Sequence, residues 1–126
     1  MTAADALRPL ILICDDELPL RELIKAALGE RYRYVEAADA VQAEAALSTQ
    51  APAAIVLDVM LPGRSGIDFL LGFRSAGGEA IPVVVVSAWQ SEEQRRVALD
   101  AGADAFVGKP FDPGELSEVV EGLLAA

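Results

Sequence analysis

The feature that most constrains the fold is an apolar run that stops abruptly at Asp58. The stretch Ala53–Gly63 reads Ala-Ala-Ile-Val-Leu-Asp-Val-Met-Leu-Pro-Gly. A strand covered on both faces of a sheet reads as a near-continuous hydrophobic run. In open parallel sheets, ligands bind just beyond the carboxyl ends of the strands. The stretch therefore predicts a buried strand that delivers Asp58 to one edge of a sheet.

Strand-like and helix-like segments alternate along the whole chain. The predicted strands are Leu10–Cys14, Tyr32–Ala37, Ala53–Asp58, Pro82–Val86 with Ser87 at its end, and Ala105–Gly108. Helical periodicity and capping residues predict helices from Pro19 to Leu28, after Asp39, over Ile67–Ser75, after Ser91 and after Asp112. Short connections in strict alternation favour right-handed crossovers between parallel strands. We predict one α/β, doubly wound (βα)5 domain at residues 10–126, with helices on both faces of a five-stranded parallel sheet, after a flexible lead at residues 1–9.

Composition excludes several classes of function. The net charge of −10 argues against direct nucleic acid binding by this segment, because phosphate contacts depend on clustered Lys and Arg. The longest apolar runs fall far short of the roughly 20 residues of a membrane helix, and the first nine residues lack the pattern of a signal peptide. The single cysteine, Cys14, fits a buried core thiol in a reducing compartment. We therefore expect a cytoplasmic protein with no membrane contact.

The absence of histidine narrows the chemistry further. It excludes Ser-His-Asp and Cys-His nucleophile systems and histidine-ligated zinc within this chain. It also means that the chain is not a histidine phosphocarrier.

Charged and polar residues follow four of the predicted strands. Asp15 and Asp16 follow the first strand, Asp58 ends the third, Ser87 ends the fourth and Lys109 follows the fifth. If the first and third strands are neighbours, three carboxylates converge. Two like charges about 4 Å apart repel by about 4 kcal/mol at an effective dielectric near 20, so such a triad either raises its own pKa values or recruits a cation. Oxygen ligands without histidine or thiolate favour Mg²⁺.

A carboxylate beside Mg²⁺ can act as the nucleophile toward a phosphoryl group and form an acyl phosphate. Asp58 is the better candidate, because it stands alone after its strand while Asp15 and Asp16 are adjacent and suited to holding the metal. Lys109 would neutralise charge that develops on the phosphoryl oxygens, and the Ser87 hydroxyl could donate to one of them.

Each residue also has a purely structural interpretation. An isolated Asp such as Asp58 or Asp15 can cap a helix or close a turn. Lys109 can be a solvated surface lysine, and Ser87 an ordinary hydroxyl at a strand end. Phe106 can be a core residue and Trp89 a partly exposed loop aromatic.

With these residues in this order, the chain resembles a response-regulator receiver domain of bacterial two-component signalling over nearly its whole length. The resemblance is carried by Asp15-Asp16, Asp58 with Pro62 and Gly66 at the family's offsets, Ser87-Ala88, Phe106, and Lys109-Pro110-Phe111. It implies the flavodoxin-like strand order 2-1-3-4-5. It also implies that the Lys109–Pro110 bond is cis, which turns the lysine into the site.

The resemblance also implies a set of roles. Asp58 would accept a phosphoryl group from the phosphohistidine of a histidine kinase or a histidine phosphotransfer protein. The Mg²⁺ ligands would be Asp15, Asp16, Asp58 and the backbone carbonyl of Met60. Lys109 and Ser87 would bind the phosphoryl group, with Met60, Trp89, Ala88 and Pro110 flanking it. Hydrolysis would be slow, so that the protein is a self-phosphorylating acceptor and slow autophosphatase rather than an enzyme with turnover.

Ser87 and Phe106 would then form a switch pair that repacks the face made by the fourth helix, fifth strand and fifth helix, a possible homodimer surface. Phe106 lacks the hydroxyl of the tyrosine that is frequent there, so packing alone must set its position. Bulky Met60 and Trp89 would hinder water and give a long-lived phosphoaspartate. The alternatives are a phosphorylation-independent pseudo-receiver that binds other proteins, and an Mg²⁺-dependent phosphohydrolase. The latter needs a carboxylate two residues after the nucleophile, where this chain has Met60.

Overall fold

The structure is a computed structural model that describes residues 2–3, 7–78 and 80–126. Four positions of the predicted N-terminal lead, 1 and 4–6, lie outside the described residues. The strands are β1 (Leu10–Cys14), β2 (Arg33–Ala37), β3 (Ala54–Asp58), β4 (Val83–Ser87) and β5 (Ala105–Gly108). The helices are α1 (Leu18–Leu28), α2 (Ala40–Thr49), α3 (Gly66–Ser75), α4 (Glu92–Asp100) and α5 (Pro113–Ala125). The predicted alternation is confirmed.

The five strands form one parallel sheet in the order β2-β1-β3-β4-β5. The predicted doubly wound fold and strand order are therefore confirmed, and the charged β2 lies at an edge. The register pairs Cys14 with Leu57, so the residues that follow them, Asp15 and Asp58, leave the sheet side by side.

Several predicted boundaries are wrong by one residue. Strand β3 begins at Ala54 rather than Ala53, and α1 begins at Leu18 rather than Pro19. Strand β4 begins at Val83 because Pro82 has no N–H for the ladder, although its carbonyl still accepts the N–H of Ile55 at 2.9 Å. Tyr32 precedes β2 rather than opening it. Gly66 was predicted as loop but is the first residue of α3, because the Ser65 side chain caps this helix by accepting the N–H of Asp68.

The sheet separates two apolar cores, since successive side chains of a strand point to opposite faces. On one face, side chains such as Ile13 and Val56 pack against α1 and α5. On the other, side chains such as Cys14 and Leu57 pack against α2 and α3 and against Ala98 of α4. Cys14 is fully buried, and burial raises the pKa of its thiol to about 12. It is thus the core thiol that the sequence predicts.

Two helix ends follow from capping residues that the sequence indicates. Asp39 accepts the N–H of Gln42 at 2.8 Å and caps α2, and the Gln42 side chain accepts the N–H of Ala38, the residue before the cap, at 2.8 Å. Gly29 ends α1 with a φ of 85°, which favours glycine. Within the described part of the chain, no helix combines the length and apolar character needed to cross a bilayer.

Candidate functional site

A partly buried lysine bridges two buried carboxylates at the carboxyl edge of the sheet. Lys109 Nζ lies 3.0 Å from Asp15 Oδ2 and 3.2 Å from Asp58 Oδ2. The Asp15 and Asp58 residues are 1% and 5% exposed, and the Lys109 side chain is 13% exposed. The structure therefore brings these three predicted residues together, and the interpretation of Lys109 as a solvated surface lysine is wrong.

The main chain fixes the second oxygen of each carboxylate. Asp58 Oδ1 accepts the N–H of Met60 at 3.1 Å, and Asp15 Oδ1 accepts the N–H of Glu17 at 2.9 Å. Glu17 is itself the N-cap residue of α1, whose own side chain makes no capping bond. Asp15 therefore tightens the loop before the helix and does not occupy the cap position.

Lys109 is placed by the end of the β4–β5 ladder. Its backbone N–H donates to the carbonyl of Ser87 at 2.8 Å. The Lys109–Pro110 peptide bond is cis, as the resemblance implies.

Burial and neighbouring charge have opposite effects on the pKa of Asp58 and on the pKa of Lys109. Burial raises the pKa of Asp58, and the Met60 N–H and the Lys109 ammonium offset only part of this effect. For Lys109, burial acts to lower the pKa, but hydrogen bonds and charge from Asp15 and Asp58 outweigh it, so the pKa is raised. The ammonium is thus firmly charged and stabilises the ionised form of the carboxylate beside it.

Ser87 lies at the same edge but is held by its own loop. The side chain is buried, and its Oγ accepts the N–H of Trp89 at 3.0 Å. A hydroxyl that accepts one hydrogen bond still has its proton to donate. Ser87 can therefore act as a donor toward a group bound at Asp58.

A cluster of carboxylates lies beside the lysine bridge. Oxygens of Asp15, Asp16 and Glu17 lie within 4.8 Å of one another, and both Asp16 and Glu17 are exposed. Hard oxygen ligands with open positions suit Mg²⁺, which keeps several of its waters. The cluster fits Mg²⁺ and contains Asp15 and Asp16 of the predicted ligand set, but neither Asp58 nor Met60 belongs to it. The predicted ligand set does not include Glu17. Its position directly after Asp15 and Asp16 in the sequence could have indicated that it belongs to the same acidic cluster.

Apolar side chains border the site on two sides. Met60 and Trp89, with exposed fractions of 50% and 52%, line one cleft together with Asp16. Ala88 and Pro110 line a second pocket beside Lys109. Trp89 is thus the partly exposed loop aromatic of the structural interpretation, and it also lines the cleft that contains Asp16.

Phe106 lies on β5 with its ring half-buried against the core that contains Ala98. The guanidinium carbon of Arg95, on α4, lies 5.9 Å from the centre of the ring. Sequence reasoning missed this contact, because nothing in the spacing of the two residues indicates that they face each other.

Comparisons with known proteins agree with this arrangement. The family model of the response regulator receiver domain matches residues 11–121. The phosphate regulon transcriptional regulatory protein PhoB of Pseudomonas aeruginosa is 42% identical over 110 residues, covering 84% of this chain and 47% of that protein. The KDP operon transcriptional regulatory protein KdpE of Escherichia coli is 39% identical over 107 residues, covering 84% of this chain and 47% of that protein.

The solved structures lead to the same family. The receiver domain of the Francisella response regulator 1452 superposes with a TM-score of 0.87 at 30% identity, covering 93% of this chain and 97% of that one. The chain spans about half the length of the curated relatives it matches.

Proposed function

The chain belongs to the response regulator receiver domain family, and from this membership we propose that Asp58 accepts a phosphoryl group from the phosphohistidine of a histidine kinase or a histidine phosphotransfer protein. The observation that carries the proposal is the Lys109 ammonium held between the buried Asp15 and Asp58 carboxylates. A fixed cation beside Asp58 can stabilise the negative charge of a transferring phosphoryl group, which a mobile lysine in solvent would not do.

The chemistry follows from the atoms around Asp58. One carboxylate oxygen forms a bond to phosphorus as the phosphorus–nitrogen bond of the donor breaks, and the leaving imidazole takes up a proton. Lys109 then faces the phosphoryl oxygens instead of the free carboxylate, and the Ser87 hydroxyl can donate to one of them. The Lys109 ammonium is in place before the reaction, so this cation needs little reorganisation.

Asp15 and Asp16, whose carboxylates lie close together with that of Glu17, would hold Mg²⁺. Asp58 and the backbone carbonyl of Met60 would complete the ligand set, and Glu17 would be a further candidate ligand. When bound, the ion neutralises negative charge on the transferring phosphoryl group.

Phosphorylation would bias a switch in the face formed by α4, β5 and α5. Ser87 moves toward the phosphoryl group, and Phe106 moves into the space that this movement opens. The change is a shift between two packings of one fold. The altered face would then bind a partner or a second copy of the chain, and sedimentation of the phosphorylated protein tests the homodimer.

The decisive experiment is incubation with Mg²⁺ and acetyl phosphate, with Asp58→Asn as the matched control. We expect the wild-type protein to gain one phosphoryl group that hydroxylamine removes, and the control to gain none. Equal labelling of the two proteins would refute the assignment of Asp58. Failure of both to be labelled would favour the phosphorylation-independent pseudo-receiver.

The proposal extends to the protein's place in the cell. The curated relatives are named as transcriptional regulators, and this chain matches about half of each. We propose that residues 10–126 form the receiver unit of a cytoplasmic regulator, and that this unit does not itself contact nucleic acid, since its net charge is −10.

A further inference from the structure

Arg21 of α1 contacts the backbone of the acidic loop rather than any of its carboxylates. Its Nη1 donates to the carbonyl oxygen of Asp15 at 2.7 Å, and its Nε donates to Glu36 Oε1 at 2.9 Å. The Arg21 side chain is only 15% exposed. Lys25 Nζ lies 3.0 Å from the other Glu36 oxygen. The guanidinium is therefore clamped between the end of β2 and the end of β1.

This contact completes the fixation of Asp15. The Asp15 N–H donates to the carbonyl of Ala37 at 3.0 Å, so hydrogen bonds hold the peptide on each side of the residue. The peptide that Arg21 holds is the one that joins Asp15 to Asp16. Its orientation sets the direction in which Asp16 leaves the sheet, and Asp16 is exposed, so packing does not fix it independently.

We propose that Arg21 is a positioning residue for the Mg²⁺ site, acting through the Asp15–Asp16 peptide plane. The inference rests on the proposed function, because it concerns the same acidic loop. Arg21 would orient Asp16 relative to Asp15 without touching the metal or the phosphoryl group. Outer contacts of this kind typically change metal affinity by about 10- to 100-fold when they are lost.

If Arg21 acted on the site only through its positive charge, removing it would change the Mg²⁺ affinity in the opposite direction. A cation near an acidic site repels Mg²⁺, so its removal should tighten metal binding if charge alone matters. A positioning role predicts weaker binding in Arg21→Ala despite the more negative site. Arg21→Lys separates the two effects further, because it keeps the charge but lacks the planar fork that reaches two acceptors at once.

The experiment is a calorimetric Mg²⁺ titration of the wild-type chain and of Arg21→Ala, Arg21→Lys and Glu36→Gln. Arg96→Ala, on the exposed surface of α4, is the control for the loss of one positive charge. We expect affinity to fall about 10- to 100-fold in both Arg21 variants and less in Glu36→Gln, with Arg96→Ala unchanged or slightly tighter. Wild-type affinity in Arg21→Lys, or tighter binding in Arg21→Ala, would overturn the proposal.

A second measurement separates this proposal from the proposed function. If the wild-type chain does not bind Mg²⁺, the proposed function fails, and the positioning role is then tested by amide hydrogen exchange of Asp16 and Glu17 in the metal-free protein. We expect faster exchange in Arg21→Lys than in wild type, with thermal unfolding confirming that the variant is folded. Unchanged exchange at both amides would show that Arg21 does not position the loop.

Discussion

Gly66 lies very close to the backbone of Asp58, so the substitution Gly66→Ala tests how the proposed nucleophile is held in place. A Cβ added to Gly66 would lie 2.2 Å from the Asp58 carbonyl oxygen and 2.8 Å from the Cα of Val59. Both are backbone atoms of the segment that carries the acceptor. The Gly66 N–H also donates to the carbonyl of Val59 at 2.8 Å. Gly66→Ala must therefore move the Asp58 backbone, the start of α3, or both.

The magnitude follows from these distances. A relaxed contact between carbon and a carbonyl oxygen lies at about 3.3 Å or more, so a displacement on the order of 1 Å is required. Overpacking of this kind costs about 1–3 kcal/mol, and loss of the hydrogen bond to Val59 adds about 1 kcal/mol. We expect Gly66→Ala to lower the free energy of unfolding by about 2–4 kcal/mol. A misplacement of about 1 Å at a reacting group can reduce a rate by about a hundredfold.

The assay is chemical denaturation together with the rate of labelling by acetyl phosphate, and Gly72→Ala is the matched control. Gly72 lies in the same helix, and an added Cβ there meets no atom within 4 Å. Alanine should stabilise this position by about 0.5–1 kcal/mol, because glycine is a poor helix former. Equal effects of the two substitutions, or a Gly66→Ala protein as stable as wild type, would refute the reasoning.

Four further predictions concern the site and the core. Replacing Lys109 with Met should lower the labelling rate by about 10²- to 10³-fold, because a fixed transition-state charge is lost; a rate within a few fold of wild type would contradict the role of its ammonium. Removing bulk with Met60→Ala or Trp89→Ala should shorten the phosphoaspartate lifetime, measured by loss of label, and a wild-type half-life of seconds would contradict this shielding. Cys14, with a pKa raised by burial to about 12, should resist thiol reagents at pH 8 until the protein unfolds. Because the unfolded thiol ionises near pH 9.0 and the buried one does not, stability should fall as pH rises above that value.

The fold could be predicted because the central strands are visible in the sequence as short, continuous apolar runs. The runs Leu10–Cys14 and Ala54–Asp58 are fully buried in the structure, as their continuous apolar character indicates. The polar residues that follow these strands must emerge at one edge, since all five strands are parallel. Composition and topology together were therefore enough to bring Asp15, Asp58 and Lys109 into one region.

The contacts that hold these residues could not be predicted in the same way. The hydrogen bond from Arg21 to the Asp15 carbonyl joins a side chain to a backbone atom, and no residue pattern encodes it. The approach of Gly66 to Asp58 depends on how the loop after β3 folds back, which periodicity does not describe. Sequence patterns report burial and direction, whereas these contacts depend on loop paths and rotamers.

The contact between Arg95 and Phe106 answers a question that the sequence raised about the proposed switch. Phe106 has no hydroxyl to anchor it, yet its ring faces a guanidinium 5.9 Å away. A cation–π contact at an exposed site is worth about 0.5–1 kcal/mol, which biases two rotamers by only about two- to fivefold, since 1.4 kcal/mol is tenfold. This contact by itself therefore adds only a small bias between the two packings of the proposed switch. A ligand must bind one state more tightly than the other by about 5.5 kcal/mol to shift their populations from 1:99 to 99:1. A smaller initial difference in population requires a smaller difference in binding free energy. In the proposed switch, a Phe106 ring without a hydroxyl would therefore be held mainly by its packing, and the movement of Ser87 would change that packing.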